Sequence, residues 1–407
     1  MDMDGDEFNY KDILKLIEAH EDWRNKTINL IPSENVTSPL VRKALTSDFG
    51  HRYSAWEEEW SVEGVPNFYL GTKYIDEVYR LGVEAAKYLF KAGYADLRLV
   101  SGHITDLALL MSFTEAGDTI AVVSERDGGY PGLQSHTLPR KVCVNTIEIP
   151  FDRVEGNIDV DRLENLVRIH RIDAIFIGSS YIPFKHPFRE LSELCVRYGI
   201  TFLYDASHVL GLIAGGVYPN PLEYNVIAYG GSTHKTFPGP QGGIILAIDE
   251  VGEDIRRNIM MHVVDNPHYN RIAALTIALY EMIKFGRDYA SQIVRNSRRL
   301  AEELYNIGIP VKYSDKGFTE THQIILDLNK FNDYIKFAQR LESIGVIVDY
   351  GGRLGTQEIT RRGLKEGDME TIAEIFKLVY KEKDLNRARE YVNDVASKYR
   401  IEYCFRE

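Results

Sequence analysis

Residues 230–243 read GGSTHKTFPGPQGG, with Lys235 behind Ser232, Thr233 and His234 and between a glycine pair and a run of Pro-Gly turns. A salt-bridging lysine more often sits on a helix face than in such a turn, so this backbone reads as shaped around one amine. The segment closes NVIAYGGSTH (225–234), one of a series of short β-rich runs that includes TIAVVSE (119–125), DAIFIGSS (173–180), TFLYDASH (201–208) and GGIILAI (242–248). Helical stretches separate them. In FRELSELCVRYG (188–199), Phe188, Leu191 and Cys195 fall on one face, as a helix laid on a sheet requires. Strand alternating with helix predicts an α/β fold whose mostly parallel sheet is covered on both sides.

Outward from this centre, residues 1–35 read as an N-terminal arm, with a helical pattern over 11–27 (Ile13, Leu14, Ile17) before INLIPSEN turns into a loop. Residues 36–265 form the large domain. Residues 266–407 read as a smaller α/β domain that opens with a long helical stretch (271–308) interrupted at Gly286, and the tail NRAREYVNDVASKYRIEYCFRE (386–407) reads as helix docking back. At 407 residues, 44% apolar and 27% charged, the chain has the composition of a soluble globular protein. No apolar run reaches bilayer length and the acidic start is neither signal nor transit peptide, which points to the cytoplasm and to no membrane partner. Cys143, Cys195 and Cys404 lie far apart without a CxxC pair, which fits a reducing compartment and argues against a zinc or other metal site. A net charge of −12 spread along the chain disfavours nucleic acid as partner and favours a small molecule.

Ligands of parallel α/β sheets gather at the carboxyl ends of the strands. Those ends are polar here: Arg126 to Tyr130, Ser179 and Ser180, Asp205 to His208, and Ser232 to Lys235. An acid after one strand and a lysine after the next fit pyridoxal phosphate: the lysine forms the Schiff base, and a buried aspartate keeps the pyridine nitrogen protonated. Ser101-Gly102-His103 ahead of the apolar LALLMSF (107–113) offers a helix N-terminus for the phosphate, with Ser232 and His234 beside it. Singly these are ordinary features, since an aspartate after a strand or a Ser-Gly before a helix is commonly just a cap. Their conjunction on one rim is what points to a cofactor.

IPSENVTSPLV (31–41), DASHVLGLIAGGVYPNP (205–221), GSTHKTFPGPQGG (231–243) and RLGTQEITRRG (353–363) resemble the serine hydroxymethyltransferase family, particularly its archaeal forms, in order through nearly the whole chain. The resemblance implies a fold-type I pyridoxal-phosphate enzyme, a homodimer with shared active sites, converting serine and a reduced pterin (tetrahydrofolate or tetrahydromethanopterin) to glycine and the methylene pterin. By position, Lys235 becomes the Schiff-base lysine, Asp205 the partner of the ring nitrogen, His208 a neighbour of ring and substrate, and Ser180 a neighbour of the ring hydroxyl. Ser101, Gly102, Ser232 and His234 become phosphate ligands. Arg353 matches the arginine that binds the amino-acid carboxylate, helped by Ser33, and Tyr53 and Tyr69 match tyrosines reaching the site, partly from the neighbouring subunit.

Three departures stand out. Tyr130 occupies the place of the family's ring-stacking histidine; it can stack but does not titrate near neutrality. The family's Tyr-Ala-Glu-Gly loop is enlarged to YSAWEEEWSVEGVPNFYLG (53–71), where Glu63 is the best match for the acid–base glutamate and Glu57, Glu58 and Glu59 compete. Between GVIVDY (345–350) and GGRLGT (351–356) the family's long pterin-binding loop is missing. FGRDYASQIV (285–294) and GFTETHQ (317–323) also resemble threonine transaldolases, relatives that do aldol chemistry without folate. The expected activity is therefore serine–glycine interconversion by Cα–Cβ cleavage. A pterin-independent aldolase, transaldolase or racemase is the alternative, and a silent binding or scaffolding subunit a third reading.

Overall fold

The structure, a computed structural model, describes residues 9–54, 67–260 and 262–406. Seven runs form one sheet: β1 (Tyr94–Asp96), β2 (Thr119–Val123), β3 (Asn145–Ile149), β4 (Ala174–Gly178), β5 (Thr201–Asp205), β6 (Ala228–Ser232) and β7 (Gly243–Ala247), in the order β1-β7-β6-β5-β4-β2-β3. β2 to β6 run parallel, and β7 pairs antiparallel with both β6 and β1. The strands read from sequence are all present. Both edges were missed: β1 is three residues long, and β3 is the strand of the sheet with exposed positions, so neither carries a buried apolar run.

Both faces of the sheet are covered. Ile120, Val122, Phe176 and Leu203 pack on one side with Leu109 and Leu110 of the helix Gly102–Phe113. Alternate residues Ala121, Val123, Ile175 and Phe202 pack on the other with Phe188 and Leu191 of the helix Phe188–Tyr198. Burial on both faces is why these strands read as continuous apolar runs.

The long helix is not interrupted. Tyr269–Asn306 is one element through Gly286, and it is Gly215 whose missing side chain lets its loop lie on the helix there: a Cβ on Gly215 would crowd the Gly286 carbonyl carbon at 3.1 Å. The helix's first two-thirds, to Ile293, belongs to the core of the sheet, whereas Leu300, Ala301 and Leu304 join a second core with Leu341, Ile372 and Phe376. Ile28–Asn29 pairs in parallel with Val346–Ile347 in that second body, and Gln323–Ile325 pairs antiparallel with Arg353–Gly355. The helix Tyr10–Arg24 forms where expected but buries no residue. The tail is helical only over Leu385–Ser397, docked through Ala388, Val392 and Val395; residues 398–406 are irregular. Among the described residues no helix is long and apolar enough to cross a membrane.

Candidate active site

Register builds the rim. Gly178, Asp205 and Gly230 are neighbours across β4, β5 and β6, so Asp205 ends its strand between two residues without side chains. Its Oδ1 accepts the Ser207 N–H at 2.8 Å, and burial raises its pKa against the opposing pull of Lys235 and of that bond. Lys235 follows β6. Burial lowers its amine; the Asp205 charge acts in the opposite direction and the Arg353 charge adds to the lowering. Among the described residues its ammonium has no hydrogen-bond or ion-pair partner, and its carbonyl accepts Asn35 Nδ2 at 2.6 Å. Asn35 thereby ties the IPSEN loop to the lysine. Gln357 fixes the same loop from behind, donating to Ile31 O at 2.8 Å and Glu34 O at 2.7 Å.

A cradle lies beside the lysine. Ser101 caps the helix Gly102–Phe113 by accepting the Ile104 N–H at 3.2 Å. A Cβ on Gly102 would collide with Ser232 Oγ and lie 2.9 Å from Ser207 Oγ, and Ser207 Oγ accepts the Ser232 N–H at 2.9 Å. Backbone N–H groups of a helix start beside two hydroxyls make an anion site. His234 Nδ1 is buried without a partner, burial takes the ring down to about 4, and His234 shares with Ser33 a cavity of about 540 Å3.

Opposite stands Arg353. Its Nε donates to Asp349 Oδ2 at 3.0 Å, with Nη2 ion-paired to the same oxygen at 2.9 Å; its Nη1 donates to Ser180 O at 2.8 Å, and its guanidinium lies 4.7 Å from the centre of the Tyr181 ring. At least one N–H on each Nη has no hydrogen-bond acceptor among the described residues, which is what a carboxylate needs in a forked pair. Asp349 closes the place where the long loop is missing: its Oδ1 accepts the N–H groups of Gly351 at 2.9 Å and Arg353 at 3.3 Å. Tyr181 Oη, donating to Gly351 O at 2.9 Å, holds the same turn.

His208 is buried, its ring stacked at 5.6 Å and 19° on His322, and its Nδ1 3.1 Å from Gln323 Nε2. Burial first, then the charge of Lys235, depresses it well below the ordinary histidine range. Tyr130 donates or accepts at 2.9 Å with His103 Nδ1, and burial raises its phenol, with Asp106 and Asp205 adding to the rise. Tyr53 and Tyr69 are exposed and pack on each other at 5.5 Å; among the described residues neither touches Lys235, Asp205 or Arg353. Glu63 and its competitors Glu57, Glu58 and Glu59 lie outside the described residues.

Sequence reading passed over four residues at this rim, Asp106, Asn35, Gln323 and Asp349, and gave Ser207 a place on it but no role. Asp106 carried a signal, being the one acid in the otherwise apolar helix that starts at Gly102. It is 1% exposed with neither oxygen bonded, and burial, then the charge of Asp205, raises it well above the usual carboxylate range.

Pyridoxal phosphate fits what is present: a cradle a Cβ would fill, an orphaned imidazole nitrogen on the residue next to the lysine, a buried carboxyl between glycines, and a lysine without a partner among the described residues. With strand order β3-β2-β4-β5-β6-β7-β1 and β7 reversed, fold and site define a fold-type I pyridoxal-phosphate-dependent enzyme. The family model for serine hydroxymethyltransferase matches residues 7–376. Serine hydroxymethyltransferase of Archaeoglobus fulgidus is 37% identical over 420 residues, covering 99% of this chain and 94% of that one. That of Pyrococcus horikoshii is 39% identical over 400 residues, covering 92% of each. Among solved structures, L-threonine transaldolase from Pseudomonas fluorescens superposes with a TM-score of 0.87 at 28% identity, covering 97% of this chain and 93% of that one. The chain belongs to the serine hydroxymethyltransferase family.

Proposed function

We propose that the protein interconverts serine and glycine by making and breaking the Cα–Cβ bond, with a reduced pterin as one-carbon acceptor. The observation that carries this reading is Lys235 and Asp205 on adjacent strand ends, with the Arg353 charge acting on Lys235 and N–H groups on both Nη atoms of Arg353 without an acceptor among the described residues. Pyridoxal phosphate, when bound, supplies an aldehyde carbon for the amino group and a ring that takes up the electron pair of the broken bond. Lys235 holds the amine near it and, lowered by burial, gives up its proton readily. Asp205 keeps negative charge at the ring nitrogen. Ser101, Gly102, Ser207, Ser232 and His234 hold the phosphate, Ser180 stands at the ring hydroxyl, and Tyr130 and His208 bound the ring. Arg353, with Ser33, orients the substrate carboxylate. Glu63 is our assignment for the group that moves the β-hydroxyl proton.

The acting unit in this reading is a homodimer. Tyr53 and Tyr69, 54% and 39% exposed, belong to the partner's site, and the exposed Ile13, Leu14, Leu16 and Ile17 of the N-terminal helix suit a subunit contact. We divide the chain into the arm 1–35, a cofactor-binding unit 36–265 and a smaller unit 266–407 whose long helix reaches back over the sheet.

The short Asp349–Arg353 turn and the transaldolase likeness favour a second reading, aldol cleavage of a β-hydroxy amino acid without pterin. Cleavage of serine and of β-phenylserine, each with and without tetrahydrofolate or tetrahydromethanopterin, separates them. Pterin stimulation of serine cleavage is expected. β-Phenylserine cleavage with no pterin effect on serine selects the second reading, and no cleavage of either overturns both. Lys235→Ala should lose covalent cofactor after borohydride reduction.

A further inference from the structure

We propose that Gln323 is a positioning residue that holds His208 as a neutral imidazole with its single proton on Nε2, so that His208 acts as a hydrogen-bond donor and never as a base at Nδ1. Gln323 is fully buried at the start of the strand Gln323–Ile325. Its Oε1 accepts the Ile182 N–H at 2.9 Å. A backbone N–H only donates, so the amide has one orientation, and Nε2 must face its remaining neighbours. Those are Ser180 O and His208 Nδ1, each at 3.1 Å. Ser180 O only accepts. Both Nε2 hydrogens are then committed, one to the carbonyl and one to the imidazole, and Nδ1 must present its lone pair.

A proton on Nδ1 would set N–H against N–H where no water enters, leaving two buried donors unsatisfied. The groups facing His208 act the same way. Lys235 and Arg353 are cationic, while His234 and His322 add no negative charge, and the His322 ring lies stacked over it. The remaining proton is on the opposite ring nitrogen. The arrangement also reaches Arg353, because Ser180 O, which receives Gln323 Nε2, receives Arg353 Nη1 at 2.8 Å. One amide thus sets a histidine tautomer and steadies the carbonyl that orients the arginine.

The catalytic use of that Nε2 proton rests on the proposed function, whereas the tautomer does not, and the test separates them. Histidine-selective 15N NMR of the cofactor-free protein, with the His208 signal identified by its loss in His208→Gln, reads the tautomer directly. The expected result is an unprotonated Nδ1 and a protonated Nε2 throughout the range where exposed histidines titrate. In Gln323→Glu the carboxylate keeps the Ile182 bond but offers Nδ1 an acceptor, so His208 should take a second proton with an apparent pKa raised by about one unit or more. Gln323→Met should leave a mixture of tautomers. A wild-type His208 protonated on Nδ1 overturns the proposal, as does a folded Gln323→Glu whose His208 signals are unchanged. In the loaded enzyme, Gln323→Glu should add an acid limb to the kcat profile; an unchanged profile together with changed NMR signals overturns the functional use of the proton and leaves the tautomer standing.

Discussion

Arg353 and Arg361 come from one stretch, RLGTQEITRRG, and have similar companions with different fates. Each is ion-paired, Arg353 to Asp349 at 2.9 Å and Arg361 to Glu281 at 2.7 Å, and each lies over a tyrosine, Tyr181 at 4.7 Å and Tyr289 at 5.9 Å. Arg361 and Glu281 are 0% exposed, and Arg361 gives Nη1 to Tyr403 O. Arg353 and Asp349 keep 17% and 20% exposure. A charge pair by itself is therefore no sign of a site. A strut has its charge enclosed, and a binding residue keeps its charge at an opening.

The sharpest way to break this contrast is to remove one partner of each pair. Glu281→Ala leaves a guanidinium buried without its anion and should cost about 3–5 kcal/mol by urea unfolding. Replacing both, Glu281→Leu with Arg361→Met, should recover most of that loss, because the enclosed pair holds little net stability over apolar groups. If the single variant unfolds like the parent, Arg361 is no strut.

Arg353→Ala should do the opposite, leaving unfolding nearly unchanged and cofactor affinity intact. Glycine binding, followed by spectral titration of the loaded enzyme, should weaken at least about tenfold, since hydrogen bonds to a charged group contribute roughly 1.5–3 kcal/mol each. Unchanged glycine affinity would remove Arg353 from the substrate site.

Asp106 extends the comparison to an acid buried as deeply as Glu281 but without an arginine. Its folded pKa lies above the ordinary 3.8, so as pH rises past 3.8 the unfolded chain ionises first and the native state loses relative stability, until the folded pKa is passed. Asp106→Asn has no such term. The variant should match the parent at the acid end and become more stable than it towards neutrality, by about 1–2 kcal/mol in cofactor-free protein. A neutral-pH loss of stability in Asp106→Asn would show that the carboxyl has a partner after all.

The sequence discloses different parts of this molecule unequally. β2, β4, β5, β6 and β7 are legible because both of their faces are buried, and Lys235 and Asp205 because chemistry follows strand ends. Gly286 misled, since a glycine that a helix runs through looks the same in sequence as one that ends it. Gln323, Asn35 and Asp349 were invisible for another reason. Their meaning lies in contacts to His208, Lys235 and a turn held by Tyr181, and no periodicity marks such pairings.

The finest test concerns Asp349, which partly neutralises Arg353 without occupying all of it. In Asp349→Asn the amide oxygen can keep the N–H groups of Gly351 and Arg353, so the turn should persist while the negative charge beside the guanidinium disappears. Two effects then oppose each other. The freed positive charge attracts a carboxylate more strongly, and the guanidinium loses the anchor that aims it. Because the pair is one-fifth exposed or less yet reached by solvent, the electrostatic gain is of the order of 1 kcal/mol, and a few-fold tighter glycine binding is expected at low salt. Added salt should shrink that gain, as screening acts on partly exposed charges. A loss of affinity independent of salt would reverse the assignment: Asp349 would then be the clamp that shapes Arg353 for its substrate, and the difference between Arg353 and Arg361 would rest on solvent access alone.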